Sequence, residues 1–164
     1  MSTDLPQAAN RVAEAAQAAG LDIAVMVMPA STRTAEEAAA ACGTGVGQIV
    51  KSLVFRGKES GRPVLLLVSG VNRVDEKRVG RRIGEALSRP DADFVRSETG
   101  YAIGGIPPIG HPKDKGIAVY MDRDLLAHEV VWAAAGTPNA VFSVDPAALE
   151  KATGATVLSV TREE

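Results

Sequence analysis

The sequence predicts an α+β domain whose mixed, mostly antiparallel, barrel-like sheet carries helices packed on its outside. Short β-rich runs outnumber helical ones along the chain. Several of these runs are joined by brief turns, which favours antiparallel pairing. The 164 residues, 46% hydrophobic and 23% charged, are enough for one packed core and too few for two of stable size. Residues 1–164 therefore read as a single domain.

The elements follow in order. Leu5, Ala8, Val12, Ala15, Ala16 and Ala19 recur at helical spacing and Gly20 supplies a stop, so residues 5–19 read as a surface helix. Ile23 to Met28 is a short β-rich run closed by Pro29, and Thr34 with Glu37 forms a capping-box signature ahead of an alanine-rich helix, Ala35 to Cys42. After the glycine-punctuated turn at 43–47 come two strands, Ile49 to Phe55 and Pro63 to Val68, positioned to pair across the intervening turn. Asn72 reads as the cap of a helix running to about Leu87, with Val74, Val79, Ile83 and Leu87 on its apolar side and a basic outer face. Phe94 and Val95 read as a short extended piece, and residues 100–112 as a loop shaped by Gly and Pro. Ile117 to Met121, Val130 to Ala134 and Ala140 to Val144 read as strands. Asp145 and Pro146 open a last helix, and Thr156 to Val160 closes the series as a strand.

Composition narrows the function. Aromatics make up only 4%, so a surface that stacks several bases is not expected. The net charge of −2 gives no global attraction to phosphate, and any nucleic-acid contact must be local. A lone cysteine, Cys42, cannot form an intramolecular disulfide, and no targeting signal or membrane-length apolar run appears. A cytoplasmic, membrane-free location is expected. Two His and one Cys offer no metal spacing, so neither a metal nor another cofactor is expected.

Three features can carry chemistry. Lys51 places an ammonium on the strand face shared by Ile49, Leu53 and Phe55. Such a lysine either snorkels from an edge strand or serves as an anion or carbonyl ligand on a pocket floor. Lys51 and Ser52 resemble the end of a phosphate-binding P-loop, but Val50 stands where glycine is needed and a strand follows instead of a helix. The second feature is Gly104, Gly105, Ile106, Pro107, Pro108, Ile109, Gly110, His111 and Pro112, either a stiff connector or a loop that presents backbone N–H groups. Its prolines have no N–H, which confines the donors to the other residues. The third is Gly136, Thr137, Pro138 and Asn139, a turn that could also border a pocket. No nucleophile elbow, Ser–His pair or paired carboxylates accompany them, so a hydrolase built on these parts works without a protein nucleophile.

These motifs resemble the YbaK/EbsC family, which includes free-standing deacylases and the editing domain inserted in bacterial prolyl-tRNA synthetases. The likeness runs from about Ala35 to Val160. It rests on Gln48 to Leu53 as the lysine strand, Gly104 to Gly110 as the GxxxP loop, and Ala134 to Asn139 as the late turn. The resemblance implies hydrolysis of a mischarged aminoacyl-tRNA carrying a small amino acid. Lys51 would clamp the acceptor end, and backbone amides near Gly104 and Gly105 would grip the aminoacyl carbonyl. Ser52, Ile106, Pro107, Pro108, Ile109, Gly110, His111, Gly136, Thr137 and Asn139 would line the substrate site. Ile106 and Pro107 stand where the cysteinyl-tRNA-specific branch has Cys and Ser, which argues against a strict cysteinyl specificity. An aminoacyl-tRNA synthetase is the further partner the resemblance implies; DNA is not expected. Two other functions fit the same residues: a module that binds a nucleotide or acceptor end without turnover, and a synthetase-interacting domain using the basic helix.

Overall fold

A computed structural model of the chain describes residues 6–112 and 115–161. Its elements are α1 (Gln7–Ala18), β1 (Met26–Val27), α2 (Ala35–Cys42), β2 (Ile49–Gly57), β3 (Pro63–Ser69), α3 (Glu76–Ile83), β4 (Leu87–Ser88), α4 (Ala92–Thr99), β5 (Ala118–Asp122), β6 (Val131–Ala134), β7 (Ala140–Val144), α5 (Pro146–Thr153) and β8 (Thr156–Leu158). Short 3-10 turns at Val46–Gln48 and Arg123–Ala127 complete the frame. Leu5, expected in the first helix, lies outside the described residues.

The strands form one mixed sheet in the order β1-β7-β6-β2-β3-β5-β8, with β4 pairing on β2 off this path. It does not close into a barrel. The hairpin β2–β3, the short β2–β4 pair, β6–β7 and β1–β7 are antiparallel, whereas β2–β6, β3–β5 and β5–β8 are parallel. Central β3 explains the continuous run Pro63 to Ser69: every one of its residues is buried because both sheet faces are covered. Leu65 and Leu67 join the larger core with α1, α5 and the Arg123–Ala127 turn, while Val64, Leu66 and Val68 pack with Val79 of α3 on the opposite face.

Local chemistry sets most boundaries as expected. Thr34 and Glu37 form both halves of the capping box, and Asp145 caps α5 with Pro146 in its first turn. Two segments differ from expectation. The helix read from Asn72 to Leu87 begins only at Glu76, because Asp75 provides the cap by accepting from the Arg78 N–H, and it ends at Gly84 in the left-handed region. Leu87 leaves the helix to pair with Gly57. Phe94 and Val95, read as extended, belong to α4, whose cap is Asp91 through the Phe94 N–H.

Candidate active site

Strand β2 is where the sheet leaves a gap. On one side it pairs with β3 from Val50 to Arg56. On the other, β6 reaches only Ile49 and Val50, and β4 meets only Arg56 and Gly57. The Gly57 N–H and the Ile49 carbonyl both bond on the β3 side, and the Lys58 N–H bonds towards β4. Alternation along the strand therefore turns the backbone N–H and C=O of Ser52 and Val54 into the gap, where no strand among the described residues pairs with them.

Two adjoining cavities occupy this opening. The first, of about 250 Å3, is lined by Thr32 and Arg33, by Ala35 and Ala38 of α2, by Ile49 to Leu53 of β2, by Ile103, Gly104 and Ile106, by Trp132, Ala133 and Ala134 of β6, and by Val141. The second, of about 540 Å3, continues along β2 to Phe55 and is bounded by Arg73, Val74, Arg89, Pro90 and Val95. Lys51, Ser52, Leu53, Ile103 and Ile106 border both. The first chamber is the smaller, with four alanines and one guanidinium, Arg33, on its wall; the second has two, Arg73 and Arg89, and Lys51 stands at their junction.

Lys51 is half-buried, and its Nζ donates to the Asn72 carbonyl at 2.6 Å. Burial lowers its pKa; Arg73 adds to that, while Glu36 and Asp122 act the other way. Ser52 follows on the strand with its Oγ shielded and without a hydrogen-bond partner among the described residues.

The Gly104–His111 loop divides between two sides of the molecule. Gly104 and Ile106 face the Lys51 cavity. The Gly105 N–H donates to the Ala102 carbonyl at 3.2 Å, and the Gly105 carbonyl accepts from the Gly136 N–H at 2.9 Å. Gly104 and Ile106 retain N–H groups with no acceptor among the described residues. A Cβ at Gly105 would lie 2.8 Å from the Thr137 backbone carbon, so glycine is required for the close approach of loop and late turn. Gly104 has φ +101° and lies under Arg33, whose Cγ would be 2.9 Å from an added Cβ.

Pro108, Ile109, Gly110 and His111 instead border a separate cavity of about 450 Å3 against α1 and α5. Pro107, buried between the two halves, accepts from the His111 Nε2–H at 2.7 Å, and the Tyr101 hydroxyl donates to the Gly110 carbonyl at 2.9 Å. Desolvation lowers the His111 pKa, partly offset by its bond to Pro107. Gly136, Thr137 and Asn139 brace the site from behind: the Asn139 Nδ2 donates to the Met28 carbonyl at 3.1 Å, and the Thr32 N–H and hydroxyl both donate to the Pro138 carbonyl. Arg33, Arg73, Ile103 and Trp132, all on the cavity walls, carry no motif, and nothing local in the sequence marks them.

The chain resembles known proteins over most of its length. Residues 29–152 match the family model for the aminoacyl-tRNA editing domain. The chain is 31% identical over 121 residues to the uncharacterized protein YwhH of Bacillus subtilis (strain 168), covering 74% of this chain and 75% of that protein. It is 32% identical over 96 residues to the proline–tRNA ligase of Limosilactobacillus fermentum, spanning 56% of this chain but only 16% of the ligase. A solved structure proposed to be a trans-editing enzyme for prolyl tRNA synthetase superposes with a TM-score of 0.89 at 46% identity, covering 98% of this chain and 100% of the other. With the family model spanning most of the sequence, the chain belongs to the aminoacyl-tRNA editing domain family.

Proposed function

We propose that this protein is a trans-editing aminoacyl-tRNA deacylase, hydrolysing the ester of a mischarged tRNA that carries a small amino acid. The observation that carries the reading is the position of Lys51 between a smaller chamber walled by Ala35, Ala38, Ala133 and Ala134 and a larger one bordered by Arg73 and Arg89. An aminoacyl ester has this same division, with a side chain at one end and a ribose phosphate at the other. The alanine-lined chamber receives the side chain, and Lys51 as a compact charge together with the planar, delocalised guanidinium of Arg73 receives the anionic end.

The ester carbonyl docks against the free N–H groups of Gly104 and Ile106. Charge that develops on its oxygen during attack is then met by donors already in place. Water adds to the carbonyl carbon, the bond to the ribose oxygen breaks, and that oxygen takes up a proton, giving free amino acid and tRNA. An aminoacyl ester is already activated, so orientation and oxyanion stabilisation suffice and no covalent enzyme intermediate is involved. A second site of this kind serves fidelity because a synthetase pocket rejects a smaller or near-isosteric amino acid only weakly. A synthetase fits as the delivering partner, and the tRNA ligase relatives support that reading.

The test is release of amino acid from a panel of tRNAs charged with alanine, cysteine, serine, threonine and, as a bulky control, phenylalanine. The expected result is rapid release of one or a few small residues and none of phenylalanine above the spontaneous rate. Tight tRNA binding with no release across the panel would contradict the proposal and identify a binding module.

A further inference from the structure

Asp122 is an anomaly: a carboxylate only 1% exposed in a protein whose other buried residues are nearly all apolar or small. Burying a charge is unfavourable unless its hydrogen-bonding capacity is met. Here it is met by one segment above all. Asp122 Oδ2 accepts from the Ser69 N–H at 3.0 Å and from the Asn72 Nδ2 at 2.8 Å, while Oδ1 accepts from the Asp124 N–H at 3.0 Å. The Asn72 amide is held a second time by Asp124 Oδ2 at 2.8 Å, and its backbone N–H donates to the Ser69 carbonyl at 2.9 Å. This doubly anchored residue is the one whose carbonyl accepts from Lys51 Nζ.

We propose that Asp122 and Asn72 are positioning residues for Lys51: the buried carboxylate at the end of β5 fixes Asn72, and the fixed Asn72 carbonyl holds the ammonium at the junction of the two cavities. A lysine stem has four rotatable bonds and would otherwise explore a wide arc of the cleft. One carbonyl bond selects a single arc position and still leaves two ammonium protons for a ligand. Neither Asp122 nor Asn72 borders either cavity, so their influence on chemistry passes through Lys51. The inference deepens the functional reading above and rests on it for the role of Lys51, but the tether itself can be measured without any substrate.

The experiment uses full-length protein labelled with 13C-lysine, with Lys51 assigned by the loss of its signal in Lys51→Ala. A fixed stem gives its two ε-methylene protons distinct shifts, and a free one averages them. Asn72→Ala and Asp122→Asn are each expected to merge the two shifts while the circular-dichroism spectrum stays native. Single-turnover deacylation should fall at least about tenfold in Asn72→Ala, as expected when a catalytic group loses its placement. The same substitution in a Lys51→Ala background should cost less than about twofold, since groups acting through one another are non-additive. Distinct ε-proton shifts persisting in both folded variants, or equal losses in both backgrounds, would overturn the proposal. Should Asn72→Ala not fold, Asp122→Asn decides by the same two readouts. If Lys51→Ala proves fully active, the functional reading fails, and the merging or persistence of the shifts still decides whether the tether exists.

Discussion

The two halves of the Gly104–His111 loop look alike in composition and serve different surroundings. Gly104 and Ile106 turn towards Lys51, and the Arg33 side chain lies over Gly104. Pro108 to His111 turn towards α1 and α5, where Tyr101 and His111 tie the loop to itself by bonds to the Gly110 and Pro107 carbonyls. Buried Pro107 separates them. One Gly/Pro-rich run can thus serve two surfaces at once, because its prolines fix φ between the half that borders the Lys51 cavity and the half packed near α1 and α5.

Substitutions can break this division, and the largest effect is expected at Gly105. Alanine there must push the loop away from the Thr137 backbone, and a displacement near 1 Å at a catalytic donor lowers rates by about 100-fold. Single-turnover deacylation by Gly105→Ala should show that loss, with a lower melting temperature from overpacking of about 1–3 kcal/mol. Gly104→Ala should be milder, about tenfold, because the flexible Arg33 side chain can move aside although φ +101° remains strained for alanine. A wild-type rate in either variant would remove the first half from the chemistry.

In the second half the expected effect is on stability alone. The His111 pKa lies below its ordinary value in the folded protein, so the unfolded chain takes up a proton first as pH falls. Its contribution is fully present above about pH 6.5 and is lost progressively below it. The melting temperature should therefore drop between pH 7.5 and pH 5, and His111→Gln should drop less over that range while keeping deacylation within about twofold at pH 7.5. Equal pH dependence in the two proteins would show that His111 does not carry the effect.

Much of this architecture is legible in the sequence because its causes are local. The Thr34 and Glu37 box, the Asp145 and Pro146 start and the alternation that sets Lys51 against its neighbours all act within a few residues. Most of what local pattern does not reveal depends on partners far along the chain, the Asp91 cap of α4 being a local exception. Asn72 is a sound helix cap by type, yet its amide is taken by Asp122 and Asp124, and Asp75 caps instead. Phe94 and Val95 look extended until Asp91, after Pro90, starts a helix over them. The parallel pairs β2–β6, β3–β5 and β5–β8 join segments dozens of residues apart, and the shortness of β2–β6 and of β2–β4 leaves the edge of β2 open between them. Arg33 and Arg73 reach the cleft through that topology, which no local pattern encodes. The GxxxP run was visible as a unit, but its division was not, since only Thr137 and the α1–α5 surface distinguish the halves.

The central claim is that the Lys51 ammonium organises the cleft for ester hydrolysis, and the most direct measurement compares single-turnover deacylation by wild type and Lys51→Ala on the substrate found in the charged-tRNA panel. A folded Lys51→Ala variant with unchanged melting behaviour and a rate lowered by about 100-fold or more is the predicted result. A folded variant that deacylates at the wild-type rate would contradict the account.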